Sequence, residues 1–140
     1  MNRRTPLIML VDDDLDFLEM NRHVLESRGY RVVCFSEPEK AFEQMAEEKP
    51  DIVITDLMMS TLDSGFSFSR RVKDDPRFRG IPVVLVTAVG SRRGFDFMPR
   101  SAEELKEMRV DAYFDKPVTP ETLLAKVEEL LERDGGEDST

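Results

Sequence analysis

Between Pro50 and a cluster of Ser, Thr, Asp and Gly residues runs the stretch DIVITDLMM, Asp51–Met59. Ile52, Val53 and Ile54 are consecutive β-branched apolar residues, and Thr55 continues the β-forming run. A short unbroken apolar run between such breakers reads as a strand buried on both faces, the kind found inside a parallel sheet. This strand ends in a carboxylate, Asp56, followed by Leu57, Met58 and Met59. In open α/β sheets, ligands bind at the carboxyl ends of the strands. One stretch therefore sets the class of fold and marks the end of the sheet where chemistry belongs.

The rest of the chain repeats the pattern. Leu7–Val11 (LIMLV) is a second fully apolar run, and it stops at Asp12, Asp13 and Asp14. Phe17/Leu18 and Val24/Leu25 then recur at helical spacing. Gly29 suits the position that closes this helix. Arg31–Phe35 is strand-like. Ser36-Glu37-Pro38-Glu39 reads as a capping box with Ser36 as N-cap, opening a helix that buries Ala41, Phe42 and Met45. After Asp56, a loop over 57–65 leads to a helix carrying Phe68 and Val72, stopped by Asp75-Pro76. Pro82 opens a fourth strand that ends in Thr87. Residues 88–100 look irregular, and Ser101-Ala102-Glu103-Glu104 caps a short helix to about Met108. Ala112–Asp115 is a fifth strand, followed by Lys116-Pro117. Thr119-Pro120-Glu121 opens a last helix, which Gly135-Gly136 should end.

Alternating βα units demand a parallel sheet, right-handed crossovers and helices on both faces. Five such units predict an α/β fold: a doubly wound, flavodoxin-like, five-stranded parallel sheet of order 2-1-3-4-5, with its switch point between strands 1 and 3. A chain of 140 residues holds one domain, with a core over about 7–131 and a polar tail over 132–140. The net charge of −9 argues against direct binding of nucleic acid, where phosphate contacts dominate. No run approaches the ~18 apolar residues of a membrane span, and MNRRTPLIMLVDDD is not a signal peptide. The expected location is the cytoplasm. The lone cysteine, Cys34, lies in the apolar run RVVCF and reads as a buried, inert thiol.

The predicted strand ends carry Asp12, Asp13, Asp56, Thr87 and Lys116, and this topology gathers them at one edge. Like charges brought together there repel, the more so when partly buried. A hard divalent cation relieves the crowding: Mg²⁺ takes oxygens from one or two carboxylates together with waters and phosphate oxygens. An aspartate beside such an ion can attack phosphorus to give an aspartyl phosphate. A lysine and a threonine hydroxyl opposite would bind the remaining phosphoryl oxygens, since such transfer depends on positioning and charge neutralisation.

In these features the chain resembles the receiver domains of two-component response regulators, over roughly Leu7 to Leu131. The acidic pair matches Asp12 and Asp13. The phosphoacceptor matches Asp56, 43 residues after Asp13, and the switch hydroxyl matches Thr87, 31 residues further on, in the setting VVLVTA. The family's lysine matches Lys116 in DKPV, and its switch aromatic falls on Tyr113. The resemblance implies that a sensor histidine kinase or phosphotransfer protein donates its phosphoryl group to Asp56. It also implies Mg²⁺ (or Mn²⁺) held by Asp13, Asp56 and the backbone carbonyl of Met58, with Asp12 acting through water. Thr87 and Tyr113 then remodel the face made by the fourth helix, fifth strand and fifth helix for a downstream protein target or a second copy in a homodimer. Lys116-Pro117 becomes a candidate cis peptide. Two features depart from the family pattern. Ser60 stands where a proline is usual, with Gly65 nine residues after Asp56, and Thr87 to Lys116 spans 29 residues, the excess falling in Val89–Arg100.

Plainer roles remain for several residues. Asp14 is better read as the N-cap of the first helix than as a ligand, and His23 as a surface or boundary residue. Phe95, Phe97 and Met98 are better read as covering the core than as a docking patch. A rival reading is a small phosphatase of the haloacid dehalogenase type, which also uses a strand-end aspartate and Mg²⁺. Its DxDx[TV] motif would fall on Asp12–Asp16 and lacks the final threonine or valine. The leading expectation is a signalling module, not an enzyme acting on other substrates. It would stand alone with no output domain, or form the receiver part of a longer effector protein.

Overall fold

The structure, a computed structural model, describes residues 5–56, 64–87, 110–115 and 118–138. Its elements are β1 (Leu7–Val11), α1 (Leu15–Ser27), β2 (Arg31–Phe35), α2 (Pro38–Glu47), β3 (Ile52–Thr55), α3 (Ser64–Asp74), β4 (Val83–Thr87), β5 (Ala112–Asp115) and the C-terminal helix α4 (Pro120–Asp138). The five strands are parallel in the order β2-β1-β3-β4-β5. The chain thus has the doubly wound, flavodoxin-like fold expected of it. The short helix expected from Ser101, and the loops over 57–63 and 88–100, including Phe95, Phe97 and Met98, lie outside the described residues.

Alternation along each strand sorts the core into two layers. Met9, Val11, Val53, Val83 and Leu85 face α2 and α3, where Ala41, Met45, Phe68 and Val72 meet them. Ile8, Leu10, Ile52, Ile54, Val84 and Val86 face α1 and α4, where Phe17, Leu18, Leu25, Leu123, Val127 and Leu130 close the layer. The unbroken apolar runs are the consequence of covering both faces of a parallel sheet.

Helix ends follow local chemistry, with two differences. Gly29 takes φ +93°; its N–H donates to the Glu26 carbonyl and that of Tyr30 to the Leu25 carbonyl, closing α1 in a Schellman motif. Thr119 Oγ1 accepts from the Thr122 N–H at the start of α4. The N-cap of α2, however, is Glu37 and not Ser36, and no side chain bonds the helix end. With Pro38 at the first helical position, one orphan N–H is already missing, so the end needs less capping. α4 also runs through Gly135-Gly136 to Asp138. Glycine costs a helix only about 1 kcal/mol and stops it only when a left-handed residue is needed.

Cys34 corrects another expectation: it is half-buried, because β2 is an edge strand whose residues keep partial exposure. Burial still pushes its thiol above the ordinary range, with Arg22 opposing and Glu26 and Glu19 adding to the rise. His23 is exposed, as its place on α1 suggests.

Candidate metal and phosphoryl site

Strand register builds the site. Val11 of β1 pairs with Thr55 of β3, so the next residues, Asp12 and Asp56, leave the sheet side by side. Both backbones stay tied to the ladders one residue past the strand ends. The Asp12 N–H donates to the Phe35 carbonyl at 3.0 Å, and the Asp56 N–H donates to the Val11 carbonyl at 3.0 Å.

The three consecutive aspartates take different environments. Asp12 is fully buried and its Oδ1 accepts from the Asp14 N–H at 2.9 Å, which turns the chain toward α1. Asp13 is exposed. Asp14 caps α1 as expected, its Oδ1 accepting from the N–H groups of Asp16 at 3.1 Å and Phe17 at 3.2 Å. Asp56 keeps only 7% of its exposure. One carboxylate oxygen from each of Asp12, Asp13 and Asp56 lies within 4.8 Å of the other two. The positive end of α1 adjoins them and partly offsets their charge.

This donor set fits a small hard cation. Mg²⁺ binds oxygens at about 2.1 Å in an octahedron, which puts ligand pairs about 3 to 4 Å apart. The spread of these carboxylates needs little closing to reach that. The three are thus a cluster able to bind a metal.

The other expected site residues are only partly visible. Thr87 ends β4, paired with Asp115 of β5, so its backbone stands at the same carboxyl edge. The Thr87 side chain, Met58, Lys116 and Pro117 lie outside the described residues. Tyr113 pairs with Leu85 and packs, half-buried, against the core layer under α2 and α3. One further polar residue borders the site. Thr55, 1% exposed, donates its hydroxyl to the Asp56 carbonyl at 3.2 Å. The only sequence signal was a lone hydroxyl at the end of an apolar strand.

A family model for the response regulator receiver domain matches residues 8–128. The phosphate regulon transcriptional regulatory protein PhoB of Pseudomonas aeruginosa is 31% identical over 132 residues, covering 94% of this chain and 54% of that protein. Response regulator Rre1 of Synechocystis is 32% identical over 127 residues, covering 90% of this chain and 52% of that protein. The chain thus spans about half the length of these relatives. Among solved structures, the N-terminal domain of a response regulator receiver protein from Methanoculleus marisnigri superposes with a TM-score of 0.65 at 31% identity, over 88% of this chain and 94% of that one. The chemotaxis response regulator CheY4 of Vibrio cholerae gives a TM-score of 0.76 at 24% identity, over 91% and 99%, a likeness of fold alone.

Proposed function

The chain belongs to the response regulator receiver domains of two-component systems, which are signalling modules, and from that premise we propose that Asp56 is its phosphoacceptor. The observation that carries this is the meeting of Asp12, Asp13 and Asp56 at the ends of adjacent strands. The donor is the phosphohistidine of a sensor histidine kinase or phosphotransfer protein. An Asp56 oxygen attacks phosphorus, the P–N bond breaks, and its electron pair leaves on the imidazole nitrogen. Asp13, Asp56 and the Met58 carbonyl would hold Mg²⁺ or Mn²⁺, with Asp12 acting through water. When bound, the ion neutralises the crowded carboxylates and binds phosphoryl oxygens. Lys116 and the Thr87 hydroxyl grip the oxygens left over.

The phosphoryl group draws in Thr87, Tyr113 rearranges with it, and the face made by β5, the C-terminal helix α4 and the segment before β5 carries the signal to a downstream protein or a second copy. The chain works in the cytoplasm and does not itself bind nucleic acid, in keeping with its charge of −9. No described helix is long and apolar enough to cross a membrane.

The test is phosphorylation by acetyl phosphate with Mg²⁺. The chain should gain one phosphoryl group per molecule, acid-stable and hydroxylamine-sensitive, and Asp56→Asn should gain none. Multiple turnover of a small phosphate ester would favour a phosphatase of the haloacid dehalogenase type instead.

A further inference from the structure

β3 is apolar except at its last residue. Thr55 follows Ile52, Val53 and Ile54, pairs with Val11 on one side and Leu85 on the other, and is buried. A valine there would keep the same β-branched shape and form a strand at least as well. The hydroxyl is therefore not needed for the sheet. It is tolerated because it is bonded, and its partner is the carbonyl of Asp56. That bond complements another. The Asp56 N–H is held by the Val11 carbonyl, so both peptides flanking Asp56 are tied down, one by the ladder and one by Thr55.

We propose that Thr55 is a positioning residue for the metal site, its hydroxyl orienting the peptide that leaves Asp56. The inference rests on reading Asp12, Asp13 and Asp56 as that site. The peptide unit is planar, so holding the Asp56 N–H at Val11 and its carbonyl at Thr55 sets both peptide planes at Asp56, and with them the direction in which its carboxylate leaves the backbone. Mg²⁺ demands near-ideal octahedral angles, so a ligand on a loosely directed backbone binds it less well. At 3.2 Å the Thr55 bond is long for O–H···O, and its effect is correspondingly modest.

The experiment measures the Mg²⁺ dissociation constant by calorimetry for the parent chain, Thr55→Val, Thr55→Ala and Thr55→Ser, with the metal-free melting temperature of each. Thr55→Val should melt at or above the parent temperature, because an apolar group replaces a buried hydroxyl, yet bind Mg²⁺ about three- to tenfold more weakly. Thr55→Ala should weaken binding to the same extent although it melts lower, and Thr55→Ser should restore the parent affinity. A merely structural role would make affinity follow melting temperature. Parent-like affinity in Thr55→Val overturns the inference, as does equal weakening in Thr55→Ser. A parent chain that ignores millimolar Mg²⁺ overturns the metal reading itself, and the inference with it.

Discussion

Asp12, Asp13 and Asp14 are chemically identical neighbours separated by what surrounds them. Asp12 is sealed at the end of β1, Asp13 faces solvent beside it, and Asp14 bonds two N–H groups of α1. Substitution should tell them apart. Asp14→Ala removes a cap and should lower unfolding free energy by about 1 kcal/mol, while leaving the response to Mg²⁺ intact. Asp13→Asn should do the reverse: little change without metal, and loss of the Mg²⁺-dependent gain. Urea denaturation with and without Mg²⁺ reads both, and equal behaviour of the two variants would contradict the division of roles. Asp75 offers a separate test by pH. Its hydrogen bonds from the Arg77 side chain and backbone hold its pKa down to about 2, against an ordinary 3.8. A depressed carboxylate stabilises the fold above its unfolded pKa, and that contribution fades as pH falls through the folded one. Parent and Asp75→Asn should therefore converge in relative stability between about pH 4 and pH 2. A constant gap across that window would show that Arg77 does not hold the charge.

At the scale of elements, the two edges of the sheet are built for opposite purposes. The amino edge is closed by aspartates that immediately precede β3 and β5. The Asp51 N–H donates to the Leu7 carbonyl, while the Leu7 N–H donates back to Asp51 Oδ2 at 2.7 Å. The Asp111 N–H donates to the Val83 carbonyl, and the Val83 N–H returns to Asp111 Oδ2 at 2.7 Å. In each case a side chain takes the first N–H of the neighbouring strand, which would otherwise lack a partner in the ladder. Lys73 of α3 reinforces the second clasp, donating to Asp111 Oδ2 and to the Ile81 carbonyl at 2.9 Å each. Its side chain is 15% exposed and that of Asp111 28%, so this pair is better shielded than a surface ion pair. Asp111→Ala should lower stability by about 1–3 kcal/mol, because the Val83 N–H loses its acceptor and the Lys73 ammonium loses one of two. Asp111→Asn, which keeps an acceptor oxygen, should cost less. Chemical denaturation decides; an Asp111→Ala variant as stable as the parent would mean the clasp is ornamental. The carboxyl edge between β1 and β3 is built of other groups. There the side chains at the strand ends are carboxylates crowded within 4.8 Å.

For the molecule as a whole, a metal bound at that cluster would couple to folding. A ligand that binds only the native state raises its stability in proportion to the logarithm of its concentration over its dissociation constant. Millimolar Mg²⁺ should raise the melting temperature by a few degrees beyond what NaCl of equal ionic strength does, and Asp56→Asn should reduce the gain. No difference between the two salts would count against the site. Much of the architecture was legible beforehand. Buried parallel strands appear as unbroken apolar runs, and amphipathic helices as stripes such as Ala41 and Met45. Less legible were features that depend on a neighbour. Cys34 looks like a core residue in RVVCF but sits on the edge strand. Ser36 looks like a cap, yet Pro38 sets the helix start one residue later.

The order of apolar and polar residues along the chain determined that strands and helices alternate, and that carboxylates stand where strands end. Those are local facts, written within each segment by the chemistry of its side chains. Only the tertiary structure decided the register in which the strand ends meet. Asp12 and Asp56 are 44 residues apart, and pairing Val11 with Thr55 makes them neighbours. It also decided that a threonine hydroxyl turns to the Asp56 carbonyl, and that Asp51 and Asp111 close the opposite edge. A side chain's partner is set by register between distant segments, and no single segment contains that register.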